Sequence, residues 1–246
     1  MARRRVRPPT SESGPVGNDA LHTPLDRTRI ENVVLGMLRD GGLDSLSMRK
    51  IADVLGVKAP ALYYHVKDKE QLLHWLAERI SVDIPMPDES RSWREQLKEW
   101  AGHFRLALRR YPDAVPIMNA TFAASPGRLA HIEFLYRTLI KAGFAGAQTP
   151  WLASMLKSYI YGYVEEESRL LSQAKEAALS QNEHGRRQQE KFESLSQERY
   201  PYLIGLAKYT TSVDWDSEFD FGLSVLLDGF EARLSKQSAA SQAHRE

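Results

Sequence analysis

Beyond residue 22, apolar side chains recur three and four positions apart and nowhere alternate convincingly with polar ones. That spacing is the period of an α-helix whose apolar stripe has to be covered by another element. It predicts an all-α fold. Ile30, Val33, Val34, Met37 and Leu38 form the first stripe, which Thr23, Pro24 and Asp26 open and Gly41-Gly42 closes. Ser47 caps a short second helix with Ile51, Ala52 and Leu55, stopped by Gly56, and a third runs from Pro60 to His65. Asp68 to Gln71 is a capping box for a fourth helix, which Pro85 and Pro87 terminate. A second capping box at Ser92 opens a long helix carrying Trp93, Leu97, Trp100, Ala101, Phe104, Leu108 and Tyr111. Further helices start at Ser125-Pro126, Thr149-Pro150 and Asp216, separated by an irregular stretch over 113–124 and a polar stretch over 172–199. The polar stretch reads as a solvated helix end plus a loop, and residues 237–246 as a frayed tail.

Composition narrows the function classes. Lys plus Arg is 33 and Asp plus Glu 32, a net charge of +1, which excludes a histone-like chain but leaves room for a local basic patch. With no cysteine there is no disulfide, thiolate metal site or Cys nucleophile. No run of 18 apolar residues is present, and no apolar core follows the basic Met1 to Arg7 segment. A cytoplasmic protein with no membrane association is expected. Residues 1–22, with four Arg and three Pro, read as a disordered basic arm, able to follow a nucleic-acid backbone or to be inert.

Residues 47–66, SMRKIADVLGVKAPALYYHV, carry the most specific pattern. Ala52 permits close helix approach, Gly56 supplies the turn, and Ile51, Leu55, Val57 and Leu62 fix the crossing. This is the pattern of a helix-turn-helix, whose second helix lies in the DNA major groove. A plain helical hairpin is the alternative on spacing alone. Within 46–69 stand five cations, Arg49, Lys50, Lys58, Lys67 and Lys69, against Asp53 and Asp68. Phosphate contacts need such a local excess. Tyr63, Tyr64 and His65 are consecutive on a short helix and cannot all point inward.

These residues, above all 62–69 (LYYHVKDK), resemble the TetR family of one-component regulators. Residues 104–113 (FRLALRRYPD), Gly143-Phe144, 162–166 and 222–234 are similar to the tetracycline-repressor type of C-terminal domain, so the likeness spans residues 25–235. The resemblance implies a homodimer, with a three-helix DNA-binding head (23–70) and a ligand-binding and dimerisation body (71–236). Its operator-contacting positions fall on Met48, Arg49, Ala59, Pro60, Ala61, Tyr63, Tyr64, His65 and Lys69, beside the cations Lys58 and Lys67. Ala59 and Ala61 replace a Gln and a Thr of the tetracycline repressor, so docking carries over while operator sequence does not. Arg49 is the candidate for guanine and Lys69 for a phosphate.

In the body, the resemblance places Thr121 and Glu166 at matching positions of a metal–tetracycline site. Met118 stands where that site has a metal-binding His, Trp100 where it has an Asn, and Leu135 where it has a Gln. A thioether does not replace an oxygen or imidazole ligand of a hard cation. No metal and no cofactor are therefore expected. The expected ligand is a small-molecule inducer, uncharged or weakly polar and ring-bearing, contacting Trp100, Phe104, Met118, Thr121, Leu135 and Glu166. Glu165 and Glu167 are expected on the solvated surface. In the last helix, Gly222 and Gly229 suggest a dimer seam, with packing inside one chain as the alternative.

An enzyme is the competing class, but there is no G-x-S-x-G, H-E-x-x-H, P-loop or E-x-x-H pair. A helical adaptor for protein partners is the other. The expectation is a non-enzymatic repressor, with a transcriptional activator of the same fold as the alternative, and three partners: a double-stranded operator, a second copy of itself and an inducer.

Overall fold

The computed structural model describes residues 24–211 and 214–243. The basic arm and Thr23 lie outside the described residues. Eleven α-helices and one 3-10 turn are present among these residues, with no strand. α1 (Arg27–Gly41), the turn Leu43–Ser45, α2 (Met48–Leu55) and α3 (Ala59–His65) form the head. α4 (Lys69–Val82) leads into the body, which comprises α5 (Trp93–Arg110), α6 (Ala114–Asn119), α7 (Pro126–Ala142), α8 (Thr149–Glu176), α9 (Gln181–Glu193), α10 (Pro201–Thr210) and α11 (Trp215–Ala243).

Local chemistry sets most boundaries. Asp26, rather than Thr23, caps α1, its carboxylate accepting the Arg29 N–H at 2.7 Å. The reason is register: Ile30 is the first buried stripe residue, and Asp26 is placed to take the N3 amide. Ser47 caps α2, Asp68 caps α4, and Ser92 with Glu95 completes a capping box on α5. Proline opens α3, α7, α8 and α10, where a missing N–H removes nothing from the helix ladder.

The core is continuous from head to body. Ile30, Ile51, Leu62, Leu72, Leu76 and Ile80 are fully buried and link α1 through α4. α4 packs on α6 and α7, α5 on α7 and α8, and α11 on α8 and α5.

Three expectations for the body change, the first being that the stretch 113–124 holds the helix α6 rather than only irregular chain. Residues 172–199 hold a helix, α9, rather than only a helix end and loop. It buries no residue, and it is held by the Ser180–Glu183 capping box and by polar i,i+4 pairs such as Gln189 with Glu193 at 2.7 Å. The last helix continues through Ala243, with Gln237 donating to Gln148 at 2.6 Å where a frayed tail was expected.

Candidate DNA-reading surface and ligand cavity

The head turns as its sequence requires. Gly56 is left-handed at φ 70°, and Val57 N–H donates to the Ala52 carbonyl at 3.0 Å. Ile51, Ala52, Leu55 and Leu62 are buried, which fixes the outer side of α3. That side shows Pro60, Ala61, Tyr63 and Tyr64 to solvent, with Ala59 and His65 half-buried. Tyr64 is 87% exposed, and the His65 ring meets its edge at 5.4 Å. Arg49, Lys58 and Lys67 are exposed around it, and Met48 packs partly into the core.

Lys69, the expected phosphate contact, has partners within the head. Its ammonium donates to the Leu43 and Leu46 carbonyls at 3.2 and 3.1 Å and is half-buried. It braces the turn before α2, a position from which a phosphate contact competes with these bonds. Lys50 likewise reaches the Ser45 carbonyl at 3.3 Å.

In the body, Trp100, Phe104, Met118 and Leu135 line one cavity of about 240 Å³. Trp100 and Phe104 stack with ring centroids 4.9 Å apart, and Phe104 meets Tyr161 at 5.7 Å. Burial pushes the Tyr161 phenol up to about 12. The cavity also has a polar side that sequence reasoning missed. His131 Nδ1 accepts the Trp100 indole N–H at 3.1 Å, and its Nε2–H donates to the Ser81 carbonyl of α4 at 2.8 Å. Burial pushes the His131 imidazole below its usual range. Arg128 and Lys157 also line the cavity. Arg128, His131 and Leu135 are spaced i, i+3, i+7 on α7, a single helical face that was readable from the sequence.

Two expected ligand residues lie elsewhere. Thr121 is buried behind the lining, its hydroxyl donating to the Ile117 carbonyl at 3.0 Å and accepting from Arg128 at 2.6 Å. Glu166 faces a different cavity, between α8 and α9, and pairs with Arg169 at 3.0 Å. Its neighbour Glu167 is the inward carboxylate, 1% exposed, receiving Arg105 Nε at 3.0 Å and Nη2 at 2.7 Å. The helical register explains the exchange, since Glu167 continues the buried face of Ile160 and Val164. Arg105 stacks over Tyr163 and Phe219 at 5.0 and 4.7 Å. The cavity beside Trp100 offers no carboxylate, and its imidazole is committed at both nitrogens. It does not fit the hard divalent cation of a metal–tetracycline site.

On the outer side of α8 and α11, Trp151 (67% exposed), Met155, Phe221 (71% exposed) and Val225 stand in solvent. The two glycines separate in function. A Cβ at Gly222 would lie 2.5 Å from Tyr159 Oη, so Gly222 serves packing within the chain, while Gly229 faces open space.

A helix-turn-helix head joined to a helical body with an internal cavity defines a DNA-binding transcription regulator with a ligand-binding domain. Residues 35–76 match the model for bacterial regulatory proteins of the tetR family, and residues 86–234 match the tetracyclin repressor-like C-terminal domain. The chain belongs to the TetR family of transcriptional regulators. It is 32% identical to the class G tetracycline repressor protein of Vibrio anguillarum, over 85% of this chain and 95% of that one. Among solved structures it is similar to Streptomyces coelicolor ActR in complex with actinorhodin, with TM-score 0.74, 26% identity, and coverage of 86% of this chain and 99% of that one. It is also similar to BioQ with its double-stranded DNA operator, with TM-score 0.58, 25% identity, and coverage of 85% and 99%.

Proposed function

We propose that this regulator is a repressor that binds a pseudo-palindromic operator as a homodimer and is released by a small molecule other than metal–tetracycline. The observation that carries the reading is the division of labour between two surfaces. Tyr63, Tyr64 and His65 stand outward on α3 among Arg49, Lys58 and Lys67, whereas Trp100, Phe104, Met118 and Leu135 line a cavity in the body. One helix-turn-helix reads a half-site, so a palindrome needs two. The apolar side chains left in solvent on α8 and α11 support a second copy of this chain as their cover.

In this reading residues 23–70 bind DNA and 71–236 bind the ligand and the second copy. Arg49 contacts a guanine edge, Lys58 and Lys67 hold phosphates, and Met48, Ala59, Pro60 and Ala61 make close apolar contacts. Binding in the cavity and binding to DNA are linked through α4, which runs from the head to Ser81 beside His131.

A gel shift with the DNA upstream of the gene tests the first part. Specific retardation at about 150 mM salt, with two half-sites protected from cleavage, is expected. Equal affinity for random duplex would remove the repressor reading. Light scattering on the free chain reads the dimer directly.

A further inference from the structure

The cavity holds a charge that its own walls do not neutralise. Arg128, half-buried in the first turn of α7, donates to the Met118 and Thr121 carbonyls at 3.0 Å each, to Thr121 Oγ1 at 2.6 Å and to the Phe122 carbonyl at 3.2 Å. All four acceptors are neutral, and they lie where α6 ends and its carbonyls lack amide partners. Among the described residues no carboxylate forms an ion pair with Arg128. Glu78 is the carboxylate whose field reaches it, but it stands outside the lining, makes no ion pair with Arg128, and accepts the Gly127 N–H on both oxygens at 3.0 Å. Burial outweighs the fields of Tyr161 and Glu78 and holds the Arg128 guanidinium below its ordinary range. At the mouth stands Lys157, exposed, its ammonium 5.4 Å from the Tyr161 ring. None of the lining residues is Asp or Glu.

Resting on the cavity reading above, we infer that the ligand is an anionic ring compound, a fused aromatic carboxylate or phenolate. Lys157 meets its charge at the mouth and Arg128 meets it further in. Trp100 and Phe104 supply the stacking faces. This replaces the uncharged ligand expected from sequence, because Arg128 and Lys157 stand where Thr121 and Glu166 were expected. A charged acceptor outcompetes neutral carbonyls for a guanidinium. Occupancy therefore draws Arg128 away from Met118, Thr121 and Phe122 and removes its share of the cap at the end of α6, where the Ala120 N–H still donates to Pro116. α6 packs on α4, so the loss of this cap is felt on the helix that leads to the head.

The test is calorimetric titration of the full-length chain at low salt with anthraquinone-2-carboxylate, anthraquinone-2-carboxamide and the cationic 2-aminomethyl analogue. The carboxylate is expected to bind about tenfold more tightly than the carboxamide, and the cation more weakly than either. Lys157→Gln, at an exposed position, should reduce that preference to about threefold. Arg128→Gln, which keeps an amide donor for α6, should reduce it further. Should Arg128→Gln fail to fold, the Lys157→Gln ratio decides alone. Equal binding of carboxylate and carboxamide by the wild type, or an unchanged ratio in Lys157→Gln, overturns the inference and leaves the cavity reading standing. Absence of saturable binding by every probe, or binding that survives Trp100→Leu unchanged, overturns the cavity reading itself.

Discussion

The Asp113 carboxylate accepts the backbone N–H of Leu43 at 2.6 Å, joining the residue before α6 to the turn between α1 and α2. Asp113 is held at φ 51°, in the left-handed region. The body thus grips the head at the same loop that Lys69 braces from α4. Replacement by Gly keeps the backbone angle and removes the carboxylate. Asp113→Gly is expected to lose about 1–2 kcal/mol, the lost bond being partly offset by relief at positive φ. Asp113→Asn, which retains an acceptor and tolerates the angle, should lose less. Urea unfolding checks the order, and an Asp113→Gly chain as stable as the wild type would show the contact to be idle.

On the reading surface, Tyr64→Ala and His65→Ala should each weaken specific operator binding by about 1–3 kcal/mol. Neither is fully buried, so folding should be spared. Lys67→Ala should instead weaken binding to all duplexes alike and flatten the salt dependence. Competition titrations against random duplex separate the two behaviours. Loss of equal size on both duplexes for Tyr64→Ala would remove it from sequence reading.

Within the cavity, Trp100→Ala should abolish release by inducer. Trp100 is buried, so that truncation also costs about 3–5 kcal/mol of stability. Trp100→Phe is the gentler variant, keeping a stacking face while deleting the N–H that His131 accepts. Its operator affinity should match the wild type and its response to inducer should fall. A normal response would detach Trp100 from the signal, as would loss of the wild-type response in EDTA from the metal-free assignment.

The adjacent carboxylates of α8 give a paired prediction. Glu167→Ala leaves Arg105 buried without its bidentate partner and should cost about 3–5 kcal/mol. Glu166→Ala touches an exposed pair with Arg169 and should stay within about 0.5 kcal/mol of wild type. Comparable unfolding midpoints for the two would contradict the buried pairing.

His131 sets a pH dependence. Its folded pKa lies below the unfolded value of about 6.5, so below that pH the unfolded chain binds the extra proton first. The contribution is fully present above about pH 6.5 and is lost as pH falls toward the folded pKa. His131→Gln should remove this part of the acid slope in a thermal-melt series from neutral to pH 5. A slope unchanged in the variant would assign it to other groups.

What the sequence carried and what it did not follows physical lines. α2 and α3 were legible because Ser47, Ala52 and Gly56 act locally, through caps and a left-handed turn. Trp100, Phe104, Met118 and Leu135, grouped from the sequence, line one cavity. Arg128 and His131 were not read as its polar side, since a cation and an imidazole on a helix look solvated until their acceptors arrive from α6 and α4. Glu166 and Glu167 were exchanged because resemblance by position outweighed the buried register of Ile160 and Val164. α9 carries one large apolar residue, Phe192, and offered only its capping box as a signal.

Gly222 against Tyr159 has a geometric consequence. Tyr159 Oη donates to the Phe219 carbonyl at 2.7 Å, so ring and glycine together set the angle at which α11 lies across α8. In a two-fold assembly built on these helices, that angle enters once from each copy. A small rotation here becomes a doubled rotation between protomers and, carried to the far end of the molecule, a lateral displacement of the two reading helices. A methyl group at Gly222, far from any base, would act as a wedge with a long lever arm.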